Sequence, residues 1–147
     1  MGYKIAGVLI MSFFLFACAA TPPEREVLLP SQIIDQPLDD VNKIKLVIFN
    51  QSNALLYGVD GSGKINIHLN GKGVGQLQIG QYVILEVDKG RHIIDLLHRD
   101  IVNFSSSHEL DVSESPSYIK IYSKMTSNGL EKVKAIDGFE SKFQVAY

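Results

Sequence analysis

The stretch Ile65-Asn66-Ile67-His68-Leu69-Asn70-Gly71-Lys72, INIHLNGK, decides the fold class. Isoleucine, isoleucine and leucine alternate strictly with polar residues, the pattern of a strand with one buried face. Asn70-Gly71 then closes it, because a two-residue type I′ hairpin needs positive φ at both central positions. Val74 to Ile79 returns, with Leu77 and Ile79 on one face. Gly80-Gln81 turns the chain into Tyr82 to Val87, and Asp88-Lys89-Gly90 turns it into Arg91 to His98. Upstream, Ile44 to Phe49 is a continuous apolar run, expected as a central strand. Ser107 to Val112, Ser117 to Ser123, Leu130 to Ile136 and Phe139 to Ala146 complete the strand set. Turn signals recur about every 8–12 residues, and no helical stripe rivals them; Leu130 to Ile136 comes nearest. The expectation is an all-β domain over residues 43–147, a small antiparallel β-sandwich.

Just before the hairpin, Gly58-Val59-Asp60-Gly61-Ser62-Gly63-Lys64-Ile65 has the glycine and lysine spacing of a phosphate-binding loop. Such a loop works by leading into a helix N-terminus, with a Ser or Thr after the lysine to hold magnesium. Here Ile65 follows, and it opens a strand. The segment reads as an inter-strand loop and no nucleotide is expected. Asp60 and Ser62 lack the carboxylates of a calcium site. Gly71-x-Gly73-x-Gly75 opens no helix either, so it is no dinucleotide fingerprint. Glycines this dense in a returning strand point to a bulge or a close backbone approach.

The chain has 147 residues, one domain's worth, with a net charge of −2. That balance offers no clustered basic face for nucleic acid. His68, His92, His98 and His108 show no metal-ligand spacing and read as surface or turn residues, so no metal or cofactor site is expected. Ser105-Ser106-Ser107-His108-Glu109 places neighbours on opposite strand faces, which argues against a contiguous triad and for a serine-rich loop edge. Asp95, inside Ile93-Ile94-Asp95-Leu96-Leu97, reads as an edge-strand charge that discourages aggregation. No catalytic residue is assigned.

Residues 1–17 form an address. Lys4 precedes an uncharged run from Ile5 to Ala17, too short to span a bilayer as a helix but suited to a secretory signal. Leu15-Phe16-Ala17-Cys18 resembles the bacterial lipoprotein cleavage box, with Phe16 at a position that is usually small or β-branched. In that box the cysteine becomes the acylated first residue of the mature chain. Cys18 is the single cysteine, and two or three acyl chains on one residue give stable anchoring. Ala17-Cys18-Ala19 also satisfies ordinary signal cleavage, which would release a soluble protein. Met1-Gly2 lacks the Ser or Thr of a myristoylation motif, Ala6 standing there instead. Ala19, in place of Asp, lacks the inner-membrane retention signal, so the implied location is the periplasmic face of the bacterial outer membrane. Residues 18–42, with Pro22, Pro23, Pro30 and Pro37, read as a flexible, semi-extended tether. Within it Val27-Leu28-Leu29 and Ile33-Ile34 could dock on the domain.

Ile67-x-Leu69-Asn70-Gly71-Lys72-x-Val74-Gly75-x-Leu77-x-x-Gly80-x-Tyr82, followed by Gly90-Arg91-His92-x-Ile94, resembles the bacterial lipoprotein family catalogued as domain of unknown function 2846. Leu46-Val47-Ile48-Phe49 is similar to its opening strand, and Ser117-Tyr118-Ile119-Lys120 to its Tyr-Tyr-Val-Lys strand. Lys89 and Arg91 stand where the family has Pro and Lys. The pattern also resembles PEGA-type surface domains. The resemblance implies an immunoglobulin-like or PEGA-like sandwich in the cell envelope and brings no catalytic residues. Asn70, Gly71, Gly80 and Gly90 are expected as turn formers and Gly75 as a site of close packing. The expected function is a non-enzymatic, membrane-anchored module binding an envelope protein or glycan, with Tyr118 and Tyr122 as candidate contact aromatics. The alternatives are a hydrolase that brings His92 or His98 to a serine and a carboxylate across strands, and a small-ligand carrier with a cavity inside the sandwich.

Overall fold

A computed structural model describes residues 40–56, 63–99 and 103–146. Cys18, the signal segment, the tether up to Asp39 with its 27–34 stretch, and Gly58 to Ser62 lie outside the described residues. The rest is a two-sheet β-sandwich. Its strands are β1 (Lys43–Asn50), β2 (Ile65–Leu69), β3 (Lys72–Leu77), β4 (Gln81–Asp88), β5 (Gly90–Arg99), β6 (Asn103–Val112), β7 (Ser117–Ser123), β8 (Asn128–Val133) and β9 (Gln144–Val145), with a short helix α1 (Phe139–Lys142) before β9. The first sheet has the order β8-β7-β1-β4-β9 and the second β3-β2-β5-β6. Most pairings are antiparallel, but β1 runs parallel to β7 and β4 parallel to β9.

Alternation sorts the side chains. Ile44, Leu46 and Ile48 of β1 meet Ile65 and Ile67 of β2, Ile94 and Leu96 of β5, and Ile119 and Ile121 of β7 between the sheets. All nine are 1% exposed or less, so each removes nearly its whole side chain from water. The other face of β1 carries Val47 and Phe49, and these are buried too. They join Tyr82, Ile84, Phe139 and Phe143 in a second core on the outer face of the first sheet. Burial on both faces is why β1 reads as an unbroken apolar run.

The second core is built by the C-terminal segment, and here the expected strand over Phe139 to Ala146 is corrected. Gly138 (φ 65) precedes one turn of helix, α1, and only Gln144 and Val145 pair as a strand. Phe139, Ser141, Phe143 and Val145 fit period two, yet Phe139 and Phe143 are also four apart and share a helix face. Tertiary packing selects the helix. The Phe139 ring sits 5.4 Å from Phe49, 5.0 Å from Tyr82 and 5.4 Å from Tyr118, and Phe143 lies 4.7 Å from Phe49, mostly edge-on. The outer face of the second sheet has no such cover among the described residues. It shows Ile93 (45% exposed) and the half-buried Asn66, His68, Asp95 and Leu97.

Candidate functional site

The turns fall where the glycines require them. Asn70 (φ 51) and Gly71 (φ 80) form the hairpin between β2 and β3. Gly80 (φ 77) and Gly90 (φ 126) turn the chain at the two ends of β4. Gly75 is corrected: a β-carbon there would meet nothing within 4 Å, so it serves no close approach. Its φ of 148 belongs to a bulge, where Ile67 faces Gly75 but His68 faces Gly73, leaving Val74 as the extra residue. At the phosphate-loop spacing, Lys64 leads directly into β2, as the alternation demanded.

Asn70 does more than turn. Its Oδ1 accepts from the Ile93 amide (2.9 Å) and its Nδ2 contacts His92 Nδ1 (3.0 Å). His92 Nε2 lies 2.8 Å from the Asp88 carbonyl oxygen, which can only accept. Hence Nε2 carries the proton and Nδ1 accepts from Asn70. The ring is 8% exposed, a satisfied core group that ties two turns together rather than a surface residue. His98, 3% exposed, is corrected in the same way. Its Nδ1 lies 2.6 Å from Asn128 Oδ1 and its ring lies tilted 5.1 Å from that of Phe104.

Two buried asparagines that sequence reasoning missed join the sheets. Asn50 ends β1 and donates to the Gly63 (2.9 Å) and Leu77 (3.0 Å) carbonyls of the second sheet's side. Its Oδ1 accepts from the Ser52 amide and hydroxyl, and Ser52 Oγ in turn accepts from the Ser123 amide. Asn128 opens β8 and donates to the Leu96 and Phe104 carbonyls, each 3.1 Å away. For Asn50, an amide directly after a strand of apolar residues was the one available signal, since a buried amide must find partners; Asn128, in the polar run Thr126-Ser127-Asn128, gave none.

Asp95 does not sit on an edge. β5 lies between β2 and β6, and the register sets Asp95 beside His68 on one side and Ser107 on the other, on the sheet's outer face. Ser105 to Glu109 form part of edge strand β6, not a loop. The i, i+2 relation brings Ser106 Oγ to 2.9 Å from His108 Nε2, on the face turned toward the first sheet. This serine–histidine pair is not the one anticipated through His92 or His98. Asp95, the carboxylate on the neighbouring strand, belongs to the opposite face of that sheet. Burial, aided by the Lys124 ammonium, pushes His108 below the usual histidine range; the Asn128 backbone and Asp95 pull the other way. Among the described residues no three His, Asp or Glu side chains group as a metal site.

Neither tyrosine stands free as a contact aromatic. Tyr118 packs against Phe139. The Tyr122 ring lies over Gly129, its hydroxyl donates to Glu131 Oε1 (2.7 Å), and Lys120 and Lys124 ammonium groups sit 5.1 and 5.5 Å from its centroid. Exposed apolar residues occur at both ends of the strands, with Val41 (81% exposed) at the entry end and three more grouped at the other. The chain enters at Asp40 to Asn42, beside the 88–90 turn, where the Lys89 amide donates to the Asn42 carbonyl. Leu55 (91% exposed), Met125 (80%) and Ile79 (37%) lie in connections at the opposite end of the strands. Bonds from Gln51 to Ile121 and from Gly80 to Asn50 place those connections side by side. Strand β1, of eight residues, sets the two ends roughly 20–25 Å apart.

A scan against models of known protein families, a search of curated proteins and a search of solved structures each find no match to this chain.

Proposed function

We propose that this chain is a non-enzymatic envelope lipoprotein of the domain-of-unknown-function-2846 kind, anchored by acyl chains on Cys18 to the periplasmic face of the bacterial outer membrane. Its sandwich is a binding module that presents loop tips to a partner in the envelope, a protein or a glycan. The observation that carries this reading is directional. The tether joins the domain at Asp40, where Val41 alone is an exposed large apolar residue, while Leu55, Ile79 and Met125 group at the far end. An anchored domain oriented in this way holds its apolar tips away from its own membrane, where a partner can reach them. Apolar residues gathered at one end of a small domain mark contact surfaces better than the same residues scattered singly.

Two experiments test the two halves separately. For the anchor, Cys18→Ser is expected to abolish incorporation of labelled palmitate and to remove the chain from the outer-membrane fraction. Unchanged fractionation and labelling would sink it. For the module, crosslinking of the intact protein in membranes is expected to trap a partner that Leu55→Glu with Met125→Glu loses, with the fold unaltered by circular dichroism. Capture that is indifferent to both substitutions removes the loop end as the contact surface.

A further inference from the structure

The open side of the sandwich is closed by few groups. β6 is the outermost strand of one sheet and β8 of the other. Between them stands Asn128, whose side chain donates to carbonyls on β5 and β6 and contacts His98, while its backbone lies against His108. On β6 the residues facing the first sheet are Phe104, Ser106, His108, Leu110 and Val112, by their register with the buried side of β5. Leu110 and Val112 are buried and belong to the core, whereas Phe104, Ser106 and His108 are half-buried. The stretch of β6 nearest Asn128 therefore carries thinner apolar filling than the rest, with Phe104 half-buried against His98. Beside Phe104 stand a serine, a histidine and an asparagine.

We propose that this seam is a proton-sensitive latch, closed by Asn128 between the sheets and opened when His108, on the inward face of the edge strand, takes up a proton. The reason is electrostatic. A neutral imidazole accepts from the Ser106 hydroxyl at no cost in charge, whereas an imidazolium must be held partly out of water. The charged and titratable groups around it decide the balance. Lys124, from the β7–β8 connection, repels the cation, and Asp95 of β5 attracts it from the other face of the sheet. His98 of β5 sits on the far side of Asn128. Burial and Lys124 outweigh Asp95, so the closed seam favours neutral His108. A depressed histidine means that the open form binds protons more readily. Closure is fully present above the ordinary value of 6.5 and is lost progressively as pH falls below it. An inward-pointing titratable residue also guards a ten-residue edge strand against pairing with other chains.

Hydrogen exchange of the purified full chain, corrected for the intrinsic pH dependence of exchange, tests the latch. Between about pH 7.5 and pH 5, amides of β6 and of the β7–β8 connection are expected to lose protection, while β1 and β4 stay constant. His108→Gln, which keeps hydrogen-bonding capacity without a titratable proton, is expected to abolish that response. Lys124→Gln changes an exposed residue, so it leaves the fold intact, and is expected to shrink the response by relieving repulsion. Should His108→Gln fail to fold, the wild-type profile and Lys124→Gln still decide. Seam protection that does not vary with pH overturns the proposal, as does a response that His108→Gln or Lys124→Gln leaves unchanged.

Discussion

Asn128 Oδ1 lies 2.6 Å from His98 Nδ1, joining the first residue of β8 to the buried face of β5. Because Asn128 Nδ2 donates to the Leu96 and Phe104 carbonyls, its oxygen is free to accept, and His98 must carry its proton on Nδ1. One side chain thereby makes three hydrogen bonds across the gap between the sheets.

Removing it leaves buried polar groups without partners. Asn128→Ala is expected to cost about 2–4 kcal/mol, more than a single net hydrogen bond, because three partners on the second sheet are orphaned. Urea denaturation followed by tyrosine fluorescence measures it. A loss below about 0.5 kcal/mol, the scale of an ordinary surface change, would mean that the bonds do not hold the seam.

Asn70 separates turn geometry from side-chain bonding. Asn70→Gly retains easy access to positive φ but loses the bonds to Ile93 and His92; Asn70→Ala loses both. The expected order of stability is Asn, then Gly, then Ala, with the alanine variant down by about 2–3 kcal/mol. Equal losses for Gly and Ala would show that backbone conformation contributes nothing at this site.

The C-terminal cover makes the outer face of the first sheet a core. Phe139→Ala is expected to destabilise by about 3–5 kcal/mol, the range for a buried phenylalanine. Its ring touches Phe49, Tyr82 and Tyr118, so a cavity there has little to collapse onto it. Thermal unfolding of the variant should show a lowered Tm with the strand signal retained; an unmoved Tm would mean that the cover is dispensable.

Gly129 carries a steric condition that alternation does not reveal. A β-carbon there would run into the Tyr122 ring, which must then leave its bond to Glu131. Gly129→Ala is expected to cost about 1–3 kcal/mol as an overpacking change. Combined with Tyr122→Ala, which removes the ring, the penalty should largely vanish in a double-mutant cycle.

The Tyr122 phenol itself reports on Glu131. The hydrogen bond to that carboxylate raises its titration above the ordinary value of 10.0. Lys120 and Tyr122 both bond to Glu131 and lower its carboxyl. Glu131→Gln should therefore move the Tyr122 titration down, followed by ultraviolet absorbance or by NMR of the ring. Because the phenol accepts a proton more tightly when folded, that bond is present below pH 10.0 and lost as pH rises past it. An unchanged titration in the variant would contradict the bond.

Much of the β architecture was legible in Ile65 to Lys72 and in the turns that follow, because period two and positive-φ turn residues are local properties. The bulge in β3 was legible too, as glycine density. Phe139 to Ala146 misled because a two-residue and a four-residue spacing both fit Phe139 and Phe143, and the arbiter was Phe49, ninety residues earlier in the chain. His92 and His98 misled for a related reason. A histidine among apolar residues is equally at home in water or in a satisfied core, and its partners Asn70 and Asn128 stand far off in sequence. Asp95 gave no sign that β6 would pair outside it and leave β5 in the middle of its sheet.

By itself, the sequence determined the strands before Phe139, the hairpin at Asn70-Gly71, the absence of a helix after Lys64 and the central place of β1, since each follows from patterns within about ten residues. The tertiary structure alone decided the parallel pairing of β1 with β7, the helix over Phe139–Lys142, the asparagine ties at Asn50 and Asn128 and the meeting of Ser106 with His108 beside β8. These depend on which distant surfaces come to share a dry interior. There a polar group must find its partner, and an aromatic ring its contact, wherever the folded chain supplies one.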